Sequence, residues 1–152
     1  MLNLVPQHQA RIGHPARFTV PVATVLEKKK IGESRDAYEL MRGRIADLEH
    51  EEFWILFLNR ANRVIGIRKI SEGGFSGTVA DPKRIYKTAL EEKAAAIIAC
   101  HNHPSGSTTP SISDNKLTEK IKQAGEFLDI ALLDHLIISQ SGYYSYADSG
   151  QL

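Results

Sequence analysis

FWILFLN at 53–59 and RVIGIRKIS at 63–71, separated by the polar link Arg60-Ala61-Asn62, decide the fold class. Both runs are rich in aromatic and β-branched residues, and a short polar link between two such runs marks a β-hairpin. Every position of the first run up to Asn59 is apolar, so neither side of that strand is reserved for water. It reads as a strand buried on both faces. Upstream, Ala37, Leu40, Met41, Ile45 and Leu48 recur at spacings of three or four, with Arg44 on the edge of the same face and Ser34 placed as an N-cap. The spacing predicts an amphipathic helix over 35–48. Downstream, Gly73-Gly74 and Gly77 interrupt the pattern, and Asp81-Pro82 supplies an N-cap and a first-turn proline for a helix over 82–92. AAAIIAC at 94–100 is too short for a typical helix and reads as a buried strand ending in a loop.

A second helix signal follows in Ser111-Ile112-Ser113-Asp114, a capping-box-like pattern, with Leu117, Ile121, Ala124 and Leu128 on one face behind it. Strand-like segments at 130–133 and 135–139 and the tyrosines 143, 144 and 146 complete the order, the tyrosines reading as packing against the last strand. Helices alternate with strands, but two strands adjacent in sequence argue for a mixed sheet between helices rather than a purely parallel one. The expected class is α/β. Residues 1–33 carry scattered Pro, Gln, His and Arg without a period and read as an irregular lead-in, in which His8 and His14 are expected at the surface. Residues 34–152 are expected to form one domain.

The composition narrows the function classes. With 152 residues and 42% hydrophobic content the chain can build its own core. Its 19 basic and 18 acidic residues nearly cancel, so charge gives no support to binding a phosphate backbone, although nucleic acid is not excluded. A single cysteine, Cys100, allows no internal disulfide and no cysteine-rich zinc cluster. Closing an apolar run, that thiol reads as buried packing rather than as a nucleophile. The amino terminus lacks a signal-peptide pattern, and no stretch approaches the roughly 20 apolar residues of a membrane span. A soluble protein of the reducing cytoplasm is expected.

The chemistry lies between 101 and 114. In an extended segment residues two apart share a side, so His101 and His103 can aim both imidazoles at one point while Asn102 faces away. Pro104-Ser105-Gly106 turns the chain, and the loop through Thr109 and Pro110 delivers Asp114 in the first turn of the next helix. Two His and one Asp make a zinc ligand set with a fourth position open to water, the mark of a catalytic rather than a structural site. Such a site needs a carboxylate base outside the metal shell. Glu51 and Glu52, just before the buried strand, are the candidates, and parity puts Glu51 on the side of Phe53 and Ile55 with Glu52 opposite. Spacing alone does not choose between them. His135, beside Asp134, reads as a hydrogen-bonded structural histidine rather than a third nitrogen ligand. A capping pattern competes with the metal for Asp114, because Ser-x-x-acid explains both Ser111 and Asp114 unaided.

HNHPSG at 101–106, PSISD at 110–114 and LLDHLII at 132–138 together resemble the RadC-like branch of the JAB/MPN (JAMM) metalloprotease superfamily, over about residue 34 to the end. The resemblance implies a mixed sheet flanked by helices of cytidine-deaminase-like architecture, and Zn2+ held by His101, His103 and Asp114. It places the family glutamate on Glu51 and the family serine on Ser111, whose hydroxyl would help bind an oxyanion. The implied activity is hydrolysis of an amide, peptide or isopeptide bond in a peptide or protein substrate. Members of the branch, which carries a DNA-repair label, often have an amino-terminal helix-hairpin-helix segment, for which the stretch before residue 34 is expected to be too short. Two other readings compete. One is a non-catalytic, DNA-repair-associated zinc module. The other is a metal-dependent nuclease suggested by the letters HNH, against which the near-neutral charge and the lack of Cys-x-x-C pairs argue.

Overall fold

The computed structural model describes residues 29–73 and 80–152. The expectations for His8, His14, Gly74, Gly77 and most of the lead-in lie outside the described residues. The predicted hairpin is present as β1 (Glu52–Leu58) and β2 (Val64–Glu72), paired antiparallel. β1 is flanked on its other side by β3 (Ala96–Asn102), again antiparallel, and β3 pairs parallel with β4 (Ala131–Ser139). β5 (Gly142–Ser145) closes the five-stranded sheet in the order β2-β1-β3-β4-β5. The sheet is mixed, as the hairpin required.

Strand alternation divides the core in two. Phe53, Ile55, Phe57, Ile97 and Ala99 face one side and pack with α2 (Pro82–Glu91) and α3 (Ile112–Leu128). Leu56, Leu58, Ile98 and Cys100 face the other and pack with Ala37, Met41 and Ile45 of α1 (Ser34–Ile45). Each buried Leu, Ile, Phe or Met side chain contributes about 1.5–3 kcal/mol of transfer free energy. The two layers of helices therefore clamp β1 and β3, and β3 ends in His101 and Asn102.

Four sequence expectations need correction. α1 begins at Ser34 itself, with Glu33 as N-cap, because the Asp36 carboxylate accepts the amides of Gly32 and Glu33 and starts the helix one residue early. It ends at Ile45, short of the expected 48. The strand expected at 94–100 runs from Ala96 to Asn102, since pairing with β1 and β4 on both edges carries the ladder through His101 and Asn102. Segments 130–133 and 135–139 form one strand through Asp134, whose buried carboxylate accepts from the Ser145 hydroxyl and from the amides of His135 and Ala147. Burial still raises the Asp134 carboxyl above its ordinary range, but the three donors offset part of the cost of placing it inside a strand. Finally, of the face expected on α3, Ile121 is buried and Leu117 and Ala124 pack against the core, but Leu128 is exposed, and Thr118 and Gly125 are buried in addition. Asp114, one turn before Thr118, shares the face turned toward the sheet.

Candidate metal centre

The end of β3 holds His101 rigidly. Its backbone pairs with Phe53 on one side and Ile137 on the other, its ring stacks on Phe53 at 5.7 Å, and only 1% of the residue is exposed. Two residues later the chain leaves the sheet, tied by the His103 amide donating to the Ile138 carbonyl. It then turns at Gly106, whose φ of +86° is a conformation glycine adopts without a Cβ penalty. The turn brings the Ser107 carbonyl 2.9 Å from Nδ1 of His103. A carbonyl only accepts, so Nδ1 carries the hydrogen, and in the neutral ring Nε2 presents a lone pair.

Asp114 arrives from the first turn of α3 through a complete capping box. The Ser111 hydroxyl accepts the Asp114 amide at 3.0 Å, and the Asp114 carboxylate accepts the Ser111 amide at 2.8 Å. The same carboxylate faces both histidines, with Oδ1 3.2 Å from Nε2 of His101 and Oδ2 3.2 Å from Nε2 of His103. The two Nε2 atoms are 3.0 Å apart. Glu51 completes the group, its Oε1 3.6 Å from Nε2 of His101 and 3.9 Å from Nε2 of His103. Glu51, His101, His103 and Asp114 each offer one ligand atom, all within 4.8 Å of one another.

This donor set fits a small divalent cation. Two atoms each about 2.0–2.1 Å from a tetrahedral zinc ion lie about 3.3 Å apart, against 3.0–3.2 Å among the His101, His103 and Asp114 atoms. Two carboxylates and two imidazoles share the spot, which favours positive charge. Burial works to raise the Asp114 carboxyl, but the His101 and His103 imidazoles, with the Ser111 amide, outweigh it and hold Asp114 well below the usual carboxylate range. The Asp114 carboxylate in turn raises the His103 imidazole against the opposing effect of burial.

The structure separates the two glutamates that spacing left open. Glu52 turns to the opposite face of β1, where its carboxylate accepts from the Trp54 indole at 2.8 Å and from Nε2 of His50 at 2.9 Å, with Nζ of Lys69 at 3.6 Å. His50, Glu52 and Glu72 also form a group with metal-like spacing, but Nζ of Lys69 stands 3.0 Å from Glu72 and already supplies a cation there. Cys100 is fully buried, as packing required, and burial pushes its thiol far above the usual range.

Three residues near the centre escaped the sequence reading or were only partly read. Asn102, 1% exposed, accepts the Glu52 amide on Oδ1 at 2.8 Å and donates from Nδ2 to the His50 carbonyl at 2.9 Å. It brackets Glu51 from across the β1–β3 ladder, whereas parity showed only that it faces away from the histidines. His135, fully buried, sits 2.7 Å from Nδ1 of His101 through its Nε2, and its Nδ1 lies 2.6 Å from Oγ1 of Thr118. Burial holds the His135 imidazole well below its usual pKa, so the ring is neutral. Thr118 carried no sequence signal at all.

An α/β fold with a His-His-Asp cluster at a strand end and a carboxylate beside it defines a class of proteins built around a metal-capable centre. The chain belongs to the RadC-like JAB domain family, whose pattern matches residues 31–151. JAB domains bind a metal, and the cluster stands where one can be held. Similar proteins include a UPF0758 protein of Flavobacterium johnsoniae, 50% identical over 126 residues, which cover 83% of this chain and 55% of that protein. A UPF0758 protein of Chlorobium chlorochromatii is 44% identical over 124 residues, 82% of this chain and 56% of its own length. One of Porphyromonas gingivalis is 40% identical over 134 residues, 88% of this chain and 59% of its own length. The chain thus spans between half and three-fifths of the length of these relatives. Among the described residues, no helix is long and apolar enough to cross a membrane.

Proposed function

We propose that the chain is a zinc-dependent hydrolase of amide, peptide or isopeptide bonds in a peptide or protein substrate, working in the cytoplasm. His101, His103 and Asp114 hold the ion and Glu51 is the base. The observation that carries this reading is the place of Glu51, whose Oε1 lies 3.6 Å from Nε2 of His101, at the rim of the ligand set and immediately before β1, whereas the histidines sit at the end of β3 and just beyond it. A carboxylate so placed is within reach of a water beside the ligands without being needed to complete the set.

When bound, zinc supplies a Lewis acid that polarises a carbonyl and lowers the pKa of water toward about 7. Oε1 of Glu51 takes a proton from the attacking water as its oxygen adds to the carbonyl carbon. The carbon–nitrogen bond then breaks, and Glu51 returns the proton to the leaving nitrogen. The Ser111 oxygen is held by the Asp114 amide at 3.0 Å, and its own O–H remains to donate to the oxyanion. The backbone of Glu51 is pinned on both sides, by the Gly73 amide on its carbonyl at 2.8 Å and by Asn102 on its neighbours. A base held this firmly loses little entropy on reaching the reactive geometry.

The test has two arms. Protein purified without added metal is assayed for zinc and titrated with it, beside His101→Ala and Asp114→Ala, and wild type and Glu51→Gln are screened on fluorogenic peptides and isopeptide conjugates. Tight zinc uptake lost in the ligand variants, with turnover at least about 100-fold lower in Glu51→Gln at unchanged zinc content, is expected. Absence of uptake removes the metal reading. Equal turnover of wild type and Glu51→Gln removes the assignment of the base and favours a non-catalytic zinc module.

A further inference from the structure

We infer that Thr118 and His135 are positioning residues that fix the tautomer of His101, leaving its Nε2 lone pair directed at the metal position. The inference rests on the metal reading of the site given above. It concerns a chain of hydrogen bonds whose proton order is determined from one end.

That end is the backbone carbonyl of Asp114, which only accepts. Oγ1 of Thr118 lies 2.7 Å from it, so the single hydroxyl hydrogen points there; otherwise two bare oxygens would face each other at that distance. With its hydrogen committed, Oγ1 meets Nδ1 of His135 at 2.6 Å as an acceptor, and Nδ1 carries a hydrogen. Nε2 of the neutral His135 ring is then bare, and it accepts at 2.7 Å from Nδ1–H of His101. A neutral His101 that donates from Nδ1 has its lone pair on Nε2, 3.0 Å from Nε2 of His103 and 3.2 Å from Oδ1 of Asp114. The chain begins and ends on Asp114, at its backbone carbonyl and at its side chain. A helix turn thereby ties the orientation of one ligand to the tautomer of another.

The rings have little room to reverse this order. Tyr146 stacks on His135 with centroids 5.0 Å apart and 10° between planes, and its phenol is tethered to Oδ1 of Asn115 at 2.7 Å. Phe53 packs edge-on against His135 at 5.4 Å and stacks on His101 at 5.7 Å. His101, Thr118 and His135 are all at most 3% exposed, so water does not substitute for a missing partner. His103 reaches the same tautomer by a shorter route, through the Ser107 carbonyl.

Nitrogen-detected NMR of the histidine rings in metal-free protein, at about pH 8.5 where an ordinary imidazole is neutral, reads the tautomer without any substrate. Hydrogen on Nδ1 of both His101 and His135 is expected. Thr118→Val keeps the shape of the side chain and removes the acceptor, so the hydrogen of His135 moves to Nε2 and that of His101 moves with it. Zinc affinity, measured by competition with a chelating dye, is expected to fall about 10–100-fold, and Thr118→Ser is expected to restore both spectrum and affinity. Absence of hydrogen from Nδ1 of His101 in the wild type overturns the proposal, as does a Thr118→Val protein that binds zinc as tightly as wild type. Should Thr118→Val fail to fold, the wild-type spectrum decides alone. Wild-type protein that takes up no zinc would remove the metal reading, and the spectrum would still decide the tautomer.

Discussion

Asn102→Ala tests whether the reach of one side chain across the ladder holds the start of β1 in place. The amide group of Asn102 satisfies the Glu52 N–H at 2.8 Å and the His50 carbonyl at 2.9 Å, and the residue is 1% exposed. Truncation leaves a buried N–H without its acceptor, which costs about 1–3 kcal/mol, and removes a second, partly solvated bond to the carbonyl worth about 0.5–1.5 kcal/mol. A combined loss of about 2–4 kcal/mol is expected. With a urea m-value of about 2 kcal/mol/M for a domain of this size, the unfolding midpoint should fall by about 1–2 M. Because the substitution touches no metal ligand, zinc binding should persist, while hydrolysis should drop through loss of the anchor that brackets Glu51. Urea unfolding followed by fluorescence of Trp54 gives the first number and zinc titration of the same samples gives the second. A midpoint shift below about 0.3 M, or about 0.6 kcal/mol at that m-value, would refute the bracket as a stabilising element.

Other perturbations probe the frame around the site. Gly125→Ala would drive a Cβ into the Ile130 carbonyl oxygen and the Tyr86 hydroxyl, so urea unfolding should show a net loss of about 1–3 kcal/mol even though alanine is the better helix former; a neutral or stabilised variant would contradict the packing at the end of α3. Cys100 is buried and its thiol is pushed up first by that burial and then by Asp134, so a thiol reagent should label the native protein only at the rate at which it opens, and prompt labelling without denaturant would contradict this. Burial tends to raise Glu52, but the Trp54 indole, His50 and Lys69 outweigh it and leave the carboxyl below its ordinary value of 4.5. A depressed folded pKa gives stability that is present above the unfolded value and lost as pH falls through the folded one. The difference in melting temperature between wild type and Glu52→Gln should therefore be full at neutral pH and shrink below about pH 4.5; a difference that grows on acidification would show the sign to be wrong.

What the sequence revealed of the fold followed from how local each determinant is. The hairpin over 53–71 was legible because aromatic and β-branched composition and a short polar link act within a few residues. The Asp81 cap was equally local, its carboxylate accepting the Lys83 amide as the Asp-Pro pair implied. By contrast, the apolar run that marks β3 stops at Cys100, and the extended path expected for 101–103 does not say that the ladder continues through His101 and Asn102. That extension depends on Phe53 and Ile137, partners far away in sequence, and tertiary pairing overrides weak propensity. Asp134 misled for the same reason, since the Ser145 hydroxyl and Ala147 amide that satisfy it come from the next strand and the turn beyond.

The candidate site divides along the same line. His101, His103 and Asp114 share a short segment whose parity and turn residues bring them to one point, whereas Glu51 needed the family resemblance because it is joined to them only by the β1–β3 register. Asp114 shows why a local reading set two explanations against each other that the molecule combines. Oδ2 accepts the Ser111 amide at 2.8 Å and still faces Nε2 of His103 at 3.2 Å, while Oδ1 faces Nε2 of His101. An ionised carboxylate has about four lone-pair sites, enough for the cap and for a cation together. The cap immobilises the carboxylate before any ion arrives, and the backbone of the same residue orders the hydrogens that reach His101 through Thr118 and His135. Capping is therefore the means by which α3 delivers the Asp114 carboxylate in a fixed orientation, and on the proposed metal reading substitutions that spare the carboxylate but break the cap, such as Ser111→Ala, should weaken zinc binding as well as the helix.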